Sequence, residues 1–224
     1  MFKNKNILYL IVAMLFLPVL CNAQVSTYRD AHIENNALTG RGMAMGGAVS
    51  AISDNPDGLL LNPASMAGCD KYRLVAKSET GLMDVNRGTA LVLIPLNREQ
   101  VLGVAYSRIG VENIKIAKDT GTAIEVAGIA SYAESGLFLG YSYQPDKRWA
   151  LGITLKSYEN VLDINSSLYE YGNAKGTDID VGTLYRMNGE WTLSAGFRNL
   201  ASALSTDGTI SWDTNYRESN DFGP

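Results

Sequence analysis

The chain holds one histidine, His32, and two cysteines, Cys21 and Cys69, and these bound the chemistry it can do. A single imidazole rules out a histidine-rich metal centre and any two-histidine mechanism. A Ser-His-Asp triad would need His32, which lies in a polar N-terminal segment, and no nucleophile-elbow motif occurs. Asp178 and Asp180, in GTDIDVG, share one face of a strand because strand side chains alternate with period two. Such a pair could serve a glycosidase, but charged side chains lining a water-filled lumen are far commoner, and no catalytic residue is assigned. No cofactor or metal is implied. The stretch from Gly40 to Gly68, GRGMAMGGAVSAISDNPDGLLLNPASMAG, raises the question of a dinucleotide loop. That loop must follow a buried strand and open a helix within a βαβ unit. Here the preceding residues are the polar AHIENNALT, the spacing is Gly-x-Gly-x-x-x-Gly-Gly, and no βαβ unit follows. The chain reads as a non-enzyme.

The same stretch has a local reading. Asn62 suits an N-cap, Pro63 the first helical position and Gly68 the C′ position, which predicts one helical turn over 64–67. Asp54 or Asp57 is expected to cap a neighbouring turn. The small residues Gly42, Gly46, Gly47, Ala48 and Ala51 fit a compact plug, with Leu59, Leu60 and Leu61 sheltered inside whatever holds it.

What holds it is predicted by the period-two pattern beyond Gly68. Strands are expected over 71–78, 87–94, 101–109, 133–143, 149–158, 177–187 and 191–199, with another starting near Thr209. In WALGITLKS, Trp149, Leu151, Ile153 and Leu155 share one face, and Ala150, Gly152, Thr154 and Lys156 the other. In WTLSAGFRN, Trp191, Leu193, Ala195 and Phe197 oppose Thr192, Ser194, Gly196 and Arg198. The apolar face is read as facing lipid. Gly152, Thr154, Lys156, Ser194, Arg198, Asp178 and Asp180 are read as facing a lumen. Arginine is expected to be costly at Leu151 and to cost much less at Thr154. LNREQ, QPDKR and MNGE are short polar turns, whereas 110–132 and 159–176 are expected to be long irregular loops. Short turns at one end and long loops at the other are the layout of an outer-membrane barrel. Trp149, Trp191 and Tyr143 sit beside the short turns, as an interfacial girdle would. Alternation alone does not separate this from a soluble β-sandwich.

Export points the same way. Lys3 and Lys5 precede an apolar run from Ile7 to Leu20 and then Cys21-Asn22-Ala23, the plan of a secretory signal peptide cleaved after Ala23. Cleavage leaves 23 acidic against 17 basic residues, which argues against nucleic acid, and Cys69 as the remaining thiol, so no internal disulfide.

Gly42-Met43-Ala44-Met45-Gly46-Gly47-Ala48, then Ser53-Asp54-Asn55, then Asn62-Pro63-Ala64, resembles the N-terminal region of FadL/TodX-type outer-membrane proteins and their PorV/PorQ-like relatives. Ser194 to Leu200, SAGFRNL, resembles a strand ending in that family. The resemblance implies an all-β, antiparallel transmembrane β-barrel with an N-terminal helical and loop hatch. This chain supplies seven or eight of its strands, an incomplete barrel. The expected division is a signal peptide over 1–23, a hatch over 24–68 and barrel strands over 69–224. The implied function is passage of hydrophobic small molecules across the outer membrane. The alternatives are a component of a protein secretion system, with secretion proteins as partners, or a structural surface protein.

Overall fold

The computed structural model describes residues 38–119, 124–166, 172–187, 191–200 and 211–214. The expected signal peptide, the first part of the expected hatch and His32 lie outside them.

The protein is all-β, built on one antiparallel sheet. β1 is Arg73–Thr80, β2 Asn86–Pro95, β3 Gln100–Asp119, β4 Ile124–Tyr143, β5 Trp149–Ser166, β6 Gly172–Arg186 and β7 Thr192–Phe197. They follow one another as a meander, β1 to β7 in order. β8, Ser211–Thr214, also pairs with β6. β7 covers Val181 to Arg186 and β8 covers Gly172 to Lys175, both antiparallel to β6. β8 therefore resumes the line of β7 after an interruption. β1 and β7 do not pair with each other, so the described sheet is not closed.

Every predicted strand exists, but four are longer than expected. The segments expected as long loops, 110–132 and 159–176, are largely strand. β3 and β4 run twenty residues each, and their ladder continues to the pair Asp119–Ile124. The register shifts between Val111 and Ile114, where Asn113 adopts φ 60°, so a bulge bends this hairpin midway. At about 3.3 Å per residue, twenty residues reach about 66 Å, roughly twice a bilayer's apolar thickness.

Residues 38–68 pack on one face of the sheet. Helix α1, Gly40–Ala44, starts at Thr39, whose hydroxyl accepts from the Gly42 N–H. Helix α2, Gly58–Leu61, leads through Asn62 into a 3₁₀ turn, Pro63–Met66. The main core lies between this unit and β2, β3 and β4, and joins Leu38, Leu59, Leu60, Met66 and Cys69 to Leu91, Leu93, Val101, Ala105 and Phe138. Burying each large aliphatic side chain stabilises the packing by about 1.5–3 kcal/mol. A segment this short touches β2 through β6 only if the sheet curls around it.

Candidate functional site: a hatch seated in a glycine groove

The unit over 38–68 is tied internally before it meets the sheet. Asn62 caps the 3₁₀ turn as expected. Its Oδ1 accepts from the Ala64 N–H at 3.2 Å, and its Nδ2 donates to the Ser50 carbonyl at 2.9 Å. Pro63 sits at the start of that turn, and Gly68 follows it at φ +86°. Asp57 precedes α2 but makes no side-chain cap there. It is fully buried and reaches back instead, accepting from the Leu38 N–H at 2.6 Å, the Thr39 N–H at 2.9 Å and the Thr39 hydroxyl at 2.5 Å. A carboxylate with three donors clasps the entry to α1 onto the entry to α2. Asp54, at φ 54°, pairs with Arg73 at the start of β1 at 2.5 Å. Its neighbour Ser53 accepts from Arg186 at the end of β6 at 2.6 Å. Two adjacent residues thus tether the unit to strands five positions apart in the sheet.

The seat is made of glycines in the strands. On this face Gly103 of β3 lies opposite Gly140 of β4, and Gly152 of β5 opposite Gly182 of β6. A Cβ on Gly103 would lie 2.8 Å from Met66 Sδ, and one on Gly140 2.3 Å from Leu59 Cδ1. On Gly152 it would lie 2.3 Å from the Pro63 carbonyl carbon and the Ala64 nitrogen, and on Gly182 1.9 Å from Asn62 Oδ1. The four glycines form a groove into which Leu59 and Asn62 to Met66 descend. Hydroxyls line it too: Thr154 donates to the Leu59 carbonyl at 3.1 Å and Ser142 to the Ala64 carbonyl at 3.5 Å.

This corrects the reason expected for the hatch glycines. A Cβ at Gly46 or Gly47 would meet nothing within 4 Å, and their φ values of +61° and +80° are what require glycine. Gly42 is buried in α1, while Ala48 is exposed. The close-packing glycines are in the wall, where the sequence showed only that one face is small. Thr154 is corrected in the same way. It lies on the concave face, but it is fully buried against the hatch, so that face has no room for arginine there.

Beyond the groove the concave face carries charge. Thr154 lies opposite Asp180 and Lys156 opposite Asp178. Lys156 Nζ meets Asp180 Oδ1 at 2.6 Å, both side chains buried, and donates to Asn199 Oδ1 at 2.9 Å. The Asn199 N–H donates to Asp180 at 2.8 Å, and Arg198 approaches the other Asp180 oxygen at 3.9 Å. The cluster holds the chain where β7 breaks off, with Asn199 at φ 57°. Ser194 lies opposite buried Leu184 but is itself exposed, past the reach of the hatch. Glu134 is buried on this face as well. Among the described residues, no group of three or more metal-ligating side chains converges.

The opposite, convex face is inverted in polarity. Successive rows across the strands follow from the register. One row reads Ile94, Leu102, Tyr141, Ile153, Val181, Phe197. The next reads Leu74, Val92, Val104, Leu139, Leu155, Ile179. Then come Ala76, Ala90, Tyr106, Leu137, Ser157, Thr177, and after them Ser78, Gly88, Arg108, Ser135, Glu159, Lys175. At the short-turn end Trp149 stacks on Tyr185 with ring centroids 4.5 Å apart. Leu151 and Leu155 are 49% and 47% exposed, while Thr154 between them is 0%. An apolar belt bounded by aromatics on one side and a polar row on the other runs across the sheet. No family model matches the chain, and searches of curated proteins and of solved structures gave no match.

Proposed function

We propose that the chain forms the wall and hatch of an outer-membrane β-barrel. The observation that carries this is the inverted polarity of the sheet. In a soluble sandwich the covered face is apolar and the open face polar. Here the face packed on the hatch carries Gly, Ser, Thr, Lys, Asp and Glu beside its apolar contacts, and the open face is a continuous apolar belt. An exposed apolar surface of this extent marks a contact surface, and a bilayer fits a belt that crosses every strand. Between Trp149 and Ser157, eight residue steps of about 3.3 Å at a tilt of about 40° give a belt roughly 20 Å tall, close to the roughly 25 Å of such barrels.

Two functions follow from the resemblance: passage of hydrophobic small molecules past the hatch, and binding of protein partners as part of a secretion system. The concave lining favours the second. The hatch fills the groove at the short-turn end, and beyond Phe138 the inward positions hold the buried charged residues Glu134, Lys156, Asp178 and Asp180, where a path for an apolar cargo calls for apolar side chains. The β3–β4 hairpin rises well past the belt with polar residues on both faces, a shape suited to a protein partner. The test is a paired one on the natural protein. Resistance to carbonate extraction from outer membranes supports the barrel, and recovery in the soluble periplasm overturns it. Vesicles holding the protein should take up an apolar fluorescent probe no faster than empty vesicles. Faster uptake would select passage of hydrophobic molecules instead.

A further inference from the structure

The polar row that ends the apolar belt contains an uncommitted cation. Arg108 lies on the convex face of β3, two residues past Tyr106 of the belt, and is exposed. Its register neighbours are Gly88 on β2 and Ser135 on β4, both small. The surface is therefore hollowed on each side of it. A shallow cavity of about 350 Å³ includes Tyr106, Arg108, Ser131, Ser135, Glu159 and Asp163 in its lining. Another of about 250 Å³ is lined by Arg108 and Arg87 with Ser78, Asn86, Gly88, Gly110 and Glu112. Among the described residues Arg108 makes no hydrogen bond or ion pair. The carboxylate in its own row, Glu159, is engaged by Lys175 at 3.0 Å. Two further carboxylates reach the hollows from further along the strands, Asp163 opposite Ser131 in the first and Glu112 in the second, so a phosphate would sit at their belt-side ends, against Arg108.

On the barrel reading, we propose that Arg108 and its two flanking hollows bind the phosphate of an anionic lipid headgroup at the membrane interface. The row position supplies the reason for a lipid. Tyr106 and Leu137 directly below would sit against the acyl boundary, so a phosphate at headgroup depth meets the guanidinium, with the Ser131 hydroxyl as a further donor. A guanidinium pairs two N–H groups with two phosphate oxygens, a geometry that water does not reproduce.

The test uses the whole protein inserted in mixed phosphatidylcholine–phosphatidylglycerol vesicles, with insertion verified by flotation. It is then released into detergent, and the retained lipids are counted by native mass spectrometry. The wild type should retain phosphatidylglycerol about fivefold above its share of the bilayer. Arg108→Gln should insert equally and lose the enrichment, and Arg108→Lys should keep part of it. An inserted Arg108→Gln protein with undiminished enrichment overturns the proposal alone. So does Arg108-dependent binding of inorganic phosphate in detergent without lipid enrichment, which would make the site one for a free anion. Failure of the wild type to insert overturns the barrel reading, and this proposal with it.

Discussion

The wall glycines, more than the hatch glycines, decide whether residues 38–68 stay seated. Gly152→Ala places a methyl group against the Pro63–Ala64 backbone, which cannot rotate away as a side chain can. Overpacking of this kind costs about 1–3 kcal/mol. Gly88→Ala puts its Cβ into open space and is the matched control. Limited proteolysis should cut within 38–68 much faster in Gly152→Ala and at the parent rate in Gly88→Ala. Equal rates in all three proteins would remove the groove from the account. Cys69 reports the same packing through its acidity. It is buried and donates to the Lys71 carbonyl at 2.9 Å. Burial pushes its thiol pKa up, because desolvation penalises the thiolate. A raised pKa means that the folded state resists losing the proton. The contribution to stability is complete below the unfolded thiol's pKa and is lost as pH rises through the folded value. Alkylation of Cys69 should accordingly need a higher pH in the folded protein than in urea. Superimposable pH–rate curves would show the thiol to be open. In the sequence the small face of the strands was legible, but its purpose was not. Nothing in the spacing of Gly103, Gly140, Gly152 and Gly182 shows that another backbone comes within contact of them.

At the scale of elements the belt makes a sharp demand. Leu155 lies in a row with Leu74, Val92, Val104, Leu139 and Ile179, all apolar and all on the convex face. Leu155→Arg should cost about 2–4 kcal/mol of folding stability in vesicles if that row sits near mid-membrane. Ser135→Arg, in the polar row, should cost well under half as much. Urea titration of the heat-modifiable folded form measures both, and equal costs would erase the boundary. The strand segments that cross the belt were legible, because only there does apolar–small alternation run unbroken. Their extensions were not. VENIKIAKD and VLDINS mix polar residues into both faces, so the period fades although the ladder continues. The break between β7 and β8 was legible in place, one strand being expected to end at 199 and another to start near Thr209, but its cause was not. Arg198 and Asn199 carry on the polar character of the strand, and what turns the chain is a tertiary contact, Asn199 against Asp180 and Lys156. The capping of Pro63–Met66 was legible because it is local, set by residues 62 to 68 alone. The clasp from Asp57 to Leu38 and Thr39 spans nineteen residues, and no local pattern encodes it.

For the whole molecule, the proposed barrel sets the two faces of one curled sheet in two different surroundings, with the hatch against the concave face and lipid against the convex one. The measurement that addresses this most directly is a spin-label scan of positions 150 to 159 on β5 in vesicles, reading collisions with oxygen and with a water-soluble nickel reagent. Oxygen collisions should peak at 151, 153 and 155 and be low at 152, 154 and 156, whether a label there stays covered or displaces its cover into the aqueous interior. At 159, past the belt, the nickel reagent should take over. Nickel collisions dominating at 151, 153 and 155, or no period-two alternation in oxygen collisions along the strand, would contradict the account.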